Sequence, residues 1–251
     1  MSRKEGRKIY IFDVDGTLTP SRLPMTKEFQ KFFEKWSEKN KFYLVTGSDI
    51  EKLQEQMCFF DINAEALFTC CGNEMWIPDP HIVNISAEQV YRKEFKPPKS
   101  LLKYLEHQLR LSDYPVRAGN HIEDRGTLLN FSMVGRDCTL QQRKDYHEYD
   151  KLTGERETIA KHIRENWEDL DAVIGGEISI DIYPKGNDKS QILEHIIERE
   201  PDANEFIFFG DGIENGNDYP LAELLSHKDR PYGYAYQVDG WEHTKRMLEK
   251  L

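Results

Sequence analysis

The chain has little cysteine, no long apolar run and no excess of positive charge. Its four cysteines, Cys58, Cys70, Cys71 and Cys138, are an adjacent pair with two scattered partners. That pattern fits neither a disulfide framework nor a zinc-ligand spacing, so reduced thiols in a cytoplasmic protein are expected. No apolar stretch approaches the roughly 20 residues a membrane span needs, and the polar start Met1-Ser2-Arg3-Lys4-Glu5 does not read as a signal peptide. A formal charge of −11 leaves no broad basic surface, so neither nucleic acid nor a membrane is expected as a partner. Any phosphate site must be a local cationic cluster on a repulsive background. Internal repeats and low-complexity segments are also missing.

What is present suits packed cores. Hydrophobic residues at 38% and aromatics at 12% exclude wholesale disorder. With 251 residues the chain can form one large domain or two modest ones. Strand-like runs at Lys8–Phe12, Phe42–Val45, Ala66–Thr69 and Phe206–Phe209 alternate with helical patterns, which predicts a parallel α/β sheet. Thr26 should cap a helix carrying Phe29, Phe32, Phe33 and Trp36 toward the core, and Ser48 with Glu51 should form a capping box. Glu74–Ile77 and His81–Ile85 suggest a hairpin. Between Pro97-Pro98 and about Pro184 the pattern changes. It includes a strand at Leu128–Val134, a helix from about Thr153 to Trp167, and strands at Ala172–Ile174 and Ile178–Ile182. The expected organisation is an α/β core of residues 1–86 and 186–251, interrupted by an inserted domain of residues 87–185.

The first strand runs into Asp13-Val14-Asp15-Gly16-Thr17-Leu18-Thr19. Alternation would put Asp13 and Asp15 on one side, beyond the carboxyl end of the strand. Two carboxylates held that close repel each other and call for a cation, a proton or a cationic ligand. A turn would explain Asp-Gly alone; Asp-x-Asp-Gly-Thr after an apolar strand favours a reaction centre.

Open α/β sheets bind ligands beyond the carboxyl ends of their strands. Thr46, Lys189 and the acidic loop from Asp211 to Asp218 fall at such positions. Asp13 and Asp211 can share one hard cation with oxygen ligands, which suits Mg²⁺. Lys189 and Thr46 can hold the equatorial oxygens of a phosphoryl group. With cation and lysine in place, Asp13 can act as a carboxylate nucleophile while Asp15 exchanges a proton with the leaving or entering hydroxyl. Taken singly, Thr46 is as well read as a strand-end cap, Lys189 as a solvated lysine and Asp211-Gly212 as a turn. It is the four together, in this order, that point to phosphoryl transfer.

These motifs resemble those of the haloacid dehalogenase superfamily. Asp13-Val14-Asp15-Gly16-Thr17 is similar to its first motif, Thr46 to its second, Lys189 to its third, and Gly210-Asp211 with Asn217-Asp218 to its fourth. The resemblance implies a Rossmann-like parallel-sheet core with an inserted α+β cap. It implies Asp13 as nucleophile and Asp15 as general acid and base. Mg²⁺ would be bound by Asp13, the backbone carbonyl of Asp15 and Asp211, with Asp218 as a supporting acid.

The insert carries a second resemblance. Asn120-His121-Ile122-Glu123, Arg125, Leu129-Asn130-Phe131-Ser132, Gly135-Arg136, Arg143 and Gly175–Asp181, with Arg22 in the core, look like eukaryote-type phosphomannomutases. That family implies that Arg22, Arg125, Arg136, Arg143, Ser179 and Asp181 hold a hexose phosphate. It further implies a hexose 1,6-bisphosphate activator and a homodimer formed through the cap. Arginine forks bind phosphate oxygens bidentately, which suits a grip on the far end of a sugar. The chain departs from the family in Arg125-Gly126-Thr127-Leu128, where Arg-Asn-Gly-Met is usual, and in a fourth-motif loop one residue shorter. The expected activity is interconversion of mannose 6-phosphate and mannose 1-phosphate. A sugar-phosphate phosphatase with the same core is the alternative, and a non-catalytic sugar-phosphate-binding protein a third reading.

Overall fold

The computed structural model describes residues 7–57, 63–79, 87–214, 216–227 and 232–251. The first stretch carries β1 (Arg7–Phe12), α1 (Lys27–Ser37), β2 (Phe42–Val45), α2 (Ile50–Gln56), β3 (Leu67–Thr69), β4 (Glu74–Pro78) and β5 (Ala87–Arg92). The middle carries α3 (Lys99–Leu111), β6 (Ile122–Asp124), β7 (Leu129–Ser132), α4 (Leu140–Thr153), α5 (Glu155–Asn166), β8 (Leu170–Gly175) and β9 (Ser179–Pro184). The last stretch carries α6 (Ile192–Arg199), β10 (Ala203–Gly210), α7 (Tyr219–Leu225), β11 (Gly233–Gln237) and α8 (Trp241–Leu248).

Two compact units result, one of residues up to Arg92 together with Asp188–Leu251, the other Lys93–Asn187. The boundaries expected at 86/87 and 185/186 are thereby corrected. Residues 87–92 form β5, which pairs antiparallel with β4 and so belongs to the core sheet. Of the hairpin expected from Glu74–Ile77 and His81–Ile85, residues 81–85 lie outside the described residues, as does Cys58.

Among the described residues the core sheet has seven strands in the order β11-β10-β1-β2-β3-β4-β5. The pairs from β11 to β3 are parallel, while β3–β4 and β4–β5 are antiparallel. Alternation along β1 sends Tyr10 and Phe12 into one apolar cluster, and Ile9 and Ile11 into another, as a strand covered on both faces requires. Phe29 and Phe33 of α1 pack with Phe12, and α6 and α7 supply Ile192, Ile196, Leu221 and Leu225 to the other face. Truncating one such ring to alanine costs about 3–5 kcal/mol. Thr26 caps α1, its hydroxyl accepting from Phe29 N at 3.3 Å. The cap of α2 is Asp49, whose carboxylate accepts from Lys52 N at 2.9 Å. The box expected at Ser48 is one residue off because Ser48 N instead donates to Thr46 Oγ1.

The inserted unit is a four-stranded antiparallel sheet in the order β6-β7-β9-β8 with α3, α4 and α5, an α+β arrangement. Its own apolar cluster joins Leu101 and Leu105 of α3, Tyr146 of α4, Ile159 and Ile163 of α5, and Phe131, Ile180 and Ile182 of the sheet. The helix expected from about Thr153 is preceded by α4, which carries few apolar residues and gave no clear period. Gly154, at φ +64°, joins the two helices; a side chain at that φ would be strained.

Candidate active site

The ladder between β1 and β10 continues one residue past Phe12, where Asp13 N donates to Phe209 O at 2.9 Å. The chain then turns sharply. The carbonyl of Val14 accepts from the backbone N–H groups of Thr17, Leu18 and Thr19 and from Thr19 Oγ1. Gly16 sits at φ +84°, and a Cβ there would lie 2.2 Å from Asp211 Oδ2. Only glycine brings the two acidic loops this close.

Lys189 enters from the opposite segment of the chain, on a short 3₁₀ turn (Lys189–Gln191) capped by Asp188, whose Oδ1 accepts from Ser190 N at 2.8 Å. The buried Nζ donates to Asp13 Oδ1 and to Asp218 Oδ1, each at 2.6 Å. Asp218 uses its other oxygen to accept from Gly212 N at 2.9 Å. One carboxylate oxygen from each of Asp13, Asp211 and Asp218 lies within 4.8 Å of the other two.

One lysine does not neutralise three acids. Burial, opposed by Lys189 and reinforced by Asp218, pushes the Asp13 carboxyl up to about 7. Asp211 is raised well above the carboxylate range. Desolvation is the first cause, and the charges of Asp13 and Asp218 add to it. Burial alone would lower Lys189, but the charges of Asp13 and Asp218 win and hold it above its ordinary value. A cluster with this deficit of positive charge, built of oxygen donors only, fits a hard divalent cation. The close approach permitted at Gly16 keeps the donors together.

Asp15 is set apart from this cluster. Its Oδ1 accepts from Gln56 Nε2 at 2.8 Å and from Arg22 N, so the two acids of the first motif look into different surroundings. Any cation contact from Asp15 would come through its backbone carbonyl, as the resemblance implies. Arg22 itself is at φ +59°, a strained conformation for a non-glycine residue that turns its N–H onto Asp15. Thr46, buried at the end of β2, donates its N–H to Phe68 O at 2.9 Å and accepts at Oγ1 from Ser48 N at 3.1 Å. The hydroxyl proton remains for donation to an oxyanion.

Three supporting residues of the core escaped the sequence reading. Gln56, the buried last residue of α2, also donates from Nε2 to Thr19 Oγ1 at 3.0 Å. Thr244 of α8 donates from Oγ1 to Thr17 O at 2.8 Å, across 227 residues of sequence. Gln237 at the end of β11 contacts the loop of Asp211. A glutamine at a helix end or strand end carries no local signal of such a role.

In the inserted unit, β7 and β9 pair Asn130 with Asp181 and Ser132 with Ser179. The alternation therefore does place Ser179 and Asp181 on one face. Asn130 Nδ2 donates to Asp181 Oδ1 at 2.7 Å, and Arg136 Nη1 donates to Ser179 Oγ at 3.3 Å. One oxygen of Glu123 accepts from Arg125 at 2.9 Å and lies 3.0 Å from Arg136 Nε. Arg143 is paired with Glu177. Asp124, beside Arg125, accepts from Gly126 N at 2.8 Å and so closes a turn. His121 Nδ1 is 2.8 Å from Ser132 O, a structural contact. Also missed was Arg156, buried against Asp150 at 2.7 Å, whose Nη1 donates to Gly176 O at 2.7 Å and so anchors the turn carrying Glu177 and Ser179.

A parallel sheet whose central strands end in Asp13, Thr46 and Asp211, served by a buried lysine, is the frame of the haloacid dehalogenase superfamily. The solved IMP-nucleotidase of Plasmodium falciparum, truncated at its N-terminus and with IMP bound, shares this fold, at TM-score 0.65 and 16% identity over 98% of this chain and 68% of that one. A Thermoplasma acidophilum structure matches at TM-score 0.60 and 15% identity over 98% of both chains. The family model described as eukaryotic phosphomannomutase matches residues 29–251. Phosphomannomutase of Encephalitozoon cuniculi is 36% identical over 91% of this chain and 88% of its own length. That of Drosophila melanogaster is 33% identical over 99% and 96%. The chain belongs to the eukaryotic phosphomannomutase family. No helix among the described residues is long and apolar enough to cross a membrane.

Proposed function

We propose that the protein interconverts mannose 6-phosphate and mannose 1-phosphate, with Mg²⁺ as cofactor and a hexose 1,6-bisphosphate as activator. The observation that carries this reading is the buried Asp13–Lys189–Asp218 arrangement beside Asp211, in a chain of this family. Asp13, Asp211 and the backbone carbonyl of Asp15 would hold the cation, with Asp218 in support. Bound there, Mg²⁺ neutralises charge on the transferring phosphoryl group.

The remaining chemistry is done by side chains. Asp13 Oδ attacks phosphorus of the bisphosphate, the sugar oxygen leaves, and an aspartyl-phosphate forms. Lys189 stabilises the charge gathered on the phosphoryl oxygens, and Thr46 Oγ1 donates to one of them. Asp15 gives its proton to the departing oxygen and takes one from the incoming hydroxyl. Because Gln56 and Arg22 N occupy Oδ1, the proton is carried on Oδ2. Arg22, Arg125, Arg136 and Arg143 grip the phosphate that does not react, and Ser179 with Asp181 receives sugar hydroxyls.

The test is to supply mannose 1-phosphate, Mg²⁺ and catalytic glucose 1,6-bisphosphate, and to follow mannose 6-phosphate and free phosphate together. Bisphosphate-dependent isomer formation is the expected result. Free phosphate without isomer would replace the mutase by a phosphatase, and no turnover would leave a binding protein.

A further inference from the structure

The loop that presents Asp211 takes two of its hydrogen bonds from one side chain of the neighbouring strand. Gly210 pairs with Gln237 in the β10–β11 register, so Gln237 stands beside the point where β10 gives way to the loop. Its Nε2 donates to the backbone carbonyl of Asp211 itself, and its Oε1 accepts from Ile213 N at 2.9 Å. The two bonds fix the amide's orientation, since a flip would set oxygen against oxygen and NH₂ against N–H. The next residue continues the clamp, Val238 N donating to Gly210 O at 3.0 Å. On the far side, Gly212 N is taken by Asp218 Oδ2 at 2.9 Å. The backbone is therefore pinned at residues 210, 211, 212 and 213, and Gln237 supplies two of those pins. Asp211 lies on a loop outside any helix or strand, and its carboxylate packs against Gly16 with no room to spare. A loop of this kind holds its direction only if its backbone is tied down.

We propose that Gln237 is a positioning residue for the cation, setting the direction of the Asp211 carboxylate by clamping the backbone on both sides of it. The inference rests on the Mg²⁺ reading above and extends it to a residue outside the motifs. Groups that orient metal ligands through hydrogen bonds change metal affinity by about 10–100-fold when removed. A glutamine that merely supported the sheet would instead lower stability and leave affinity alone.

Mg²⁺ titration by calorimetry of the wild type, Q237M, Q237A and D211N separates the possibilities, together with thermal unfolding in EDTA. Q237M keeps the length of the side chain without its polar atoms, and Q237A serves if Q237M fails to fold. The expected result is Mg²⁺ binding by the wild type, loss of binding in D211N, and binding about 10–100-fold weaker in either Gln237 variant, with EDTA melting temperatures near the wild type's. In turnover, saturating Mg²⁺ should restore most of kcat. Unchanged Mg²⁺ affinity in the Gln237 variants, with D211N defective, overturns the role of Gln237 and leaves the cation reading intact. Failure of the wild type to bind Mg²⁺ overturns both.

Discussion

Gln56 Nε2 lies 2.8 Å from Asp15 Oδ1 and 3.0 Å from Thr19 Oγ1, so one buried amide ties Asp15, the proposed proton carrier, to the turn that holds it. Removing the amide frees the carboxylate to rotate without touching Asp13 or Lys189. Gln56→Leu should therefore lower kcat by about tenfold or more, a part of the 10²–10⁴ that acid–base catalysis supplies, and leave KM within about twofold. Steady-state kinetics at saturating bisphosphate check this. A rise in KM alone would place Gln56 in substrate binding.

Asp13→Asn removes the proposed nucleophile and keeps the shape. Turnover should vanish, and no phosphorylated protein should form with labelled glucose 1,6-bisphosphate. Acid-quench labelling reads this directly. Robust activity in the variant would move the nucleophile elsewhere.

The raised carboxyl of Asp13 makes a sign-definite prediction about stability. A folded-state value near 7, above the unfolded carboxylate value, means the folded protein holds the proton more tightly. That contribution is full at low pH and is lost as pH rises from about 4 through 7. A cation that replaces the proton removes the loss. In paired thermal melts, the gap between Mg²⁺ and EDTA samples should widen steadily from pH 5 to pH 8. A gap independent of pH would show that protons and cation do not compete at this cluster.

Arg143 is paired with Glu177, a partner that a phosphate would have to displace or share in the proposed role. Arg143→Ala should mainly weaken sugar-phosphate binding, raising KM by at least about tenfold, as expected when a charge-assisted hydrogen bond worth about 1.5–3 kcal/mol is lost. Isothermal titration with mannose 1-phosphate provides the check. A fall in kcat at constant KM would count against a gripping role.

Arg156 and Asp150 form a buried pair in the inserted unit. Arg156→Met strands the carboxylate and should destabilise the protein by about 3–5 kcal/mol, visible in urea unfolding. Adding Asp150→Leu to it should recover most of the loss, because two apolar partners leave no buried charge behind.

The gathering of Asp13 with Asp211, Asp218 and Lys189 was legible because each stands in a local pattern. An apolar strand followed by Asp-x-Asp-Gly-Thr states its geometry within a few residues, and Thr46 and Lys189 likewise stand at element ends. What could not be read was whatever depends on a distant partner. Asp15 shares a motif with Asp13, yet its side chain is claimed by Gln56, a contact set by how α2 packs. The boundary at Arg92 was missed because an edge strand such as β5, mostly exposed, lacks the apolar run of a buried one. The α4 helix was missed for a similar reason, its polar length giving no stripe to detect. Asp49 displaced Ser48 as a cap because both residue types suit the position and only the loop's path decides between them.

Asp13 and Lys189 meet at 2.6 Å although 176 residues separate them in sequence, and β1 lies between β2 and β10 in the sheet. A ribosome therefore delivers one neighbour of β1 early and the other only after the whole inserted unit has emerged. Until then a strand with apolar residues on both faces waits with an open edge, exposed to other nascent chains. Loop closure over such a span is slow, and half-built sheets of this kind are prone to stick to one another. Building the sheet's centre from segments so far apart keeps Asp13 without its lysine until the whole inserted unit has been made.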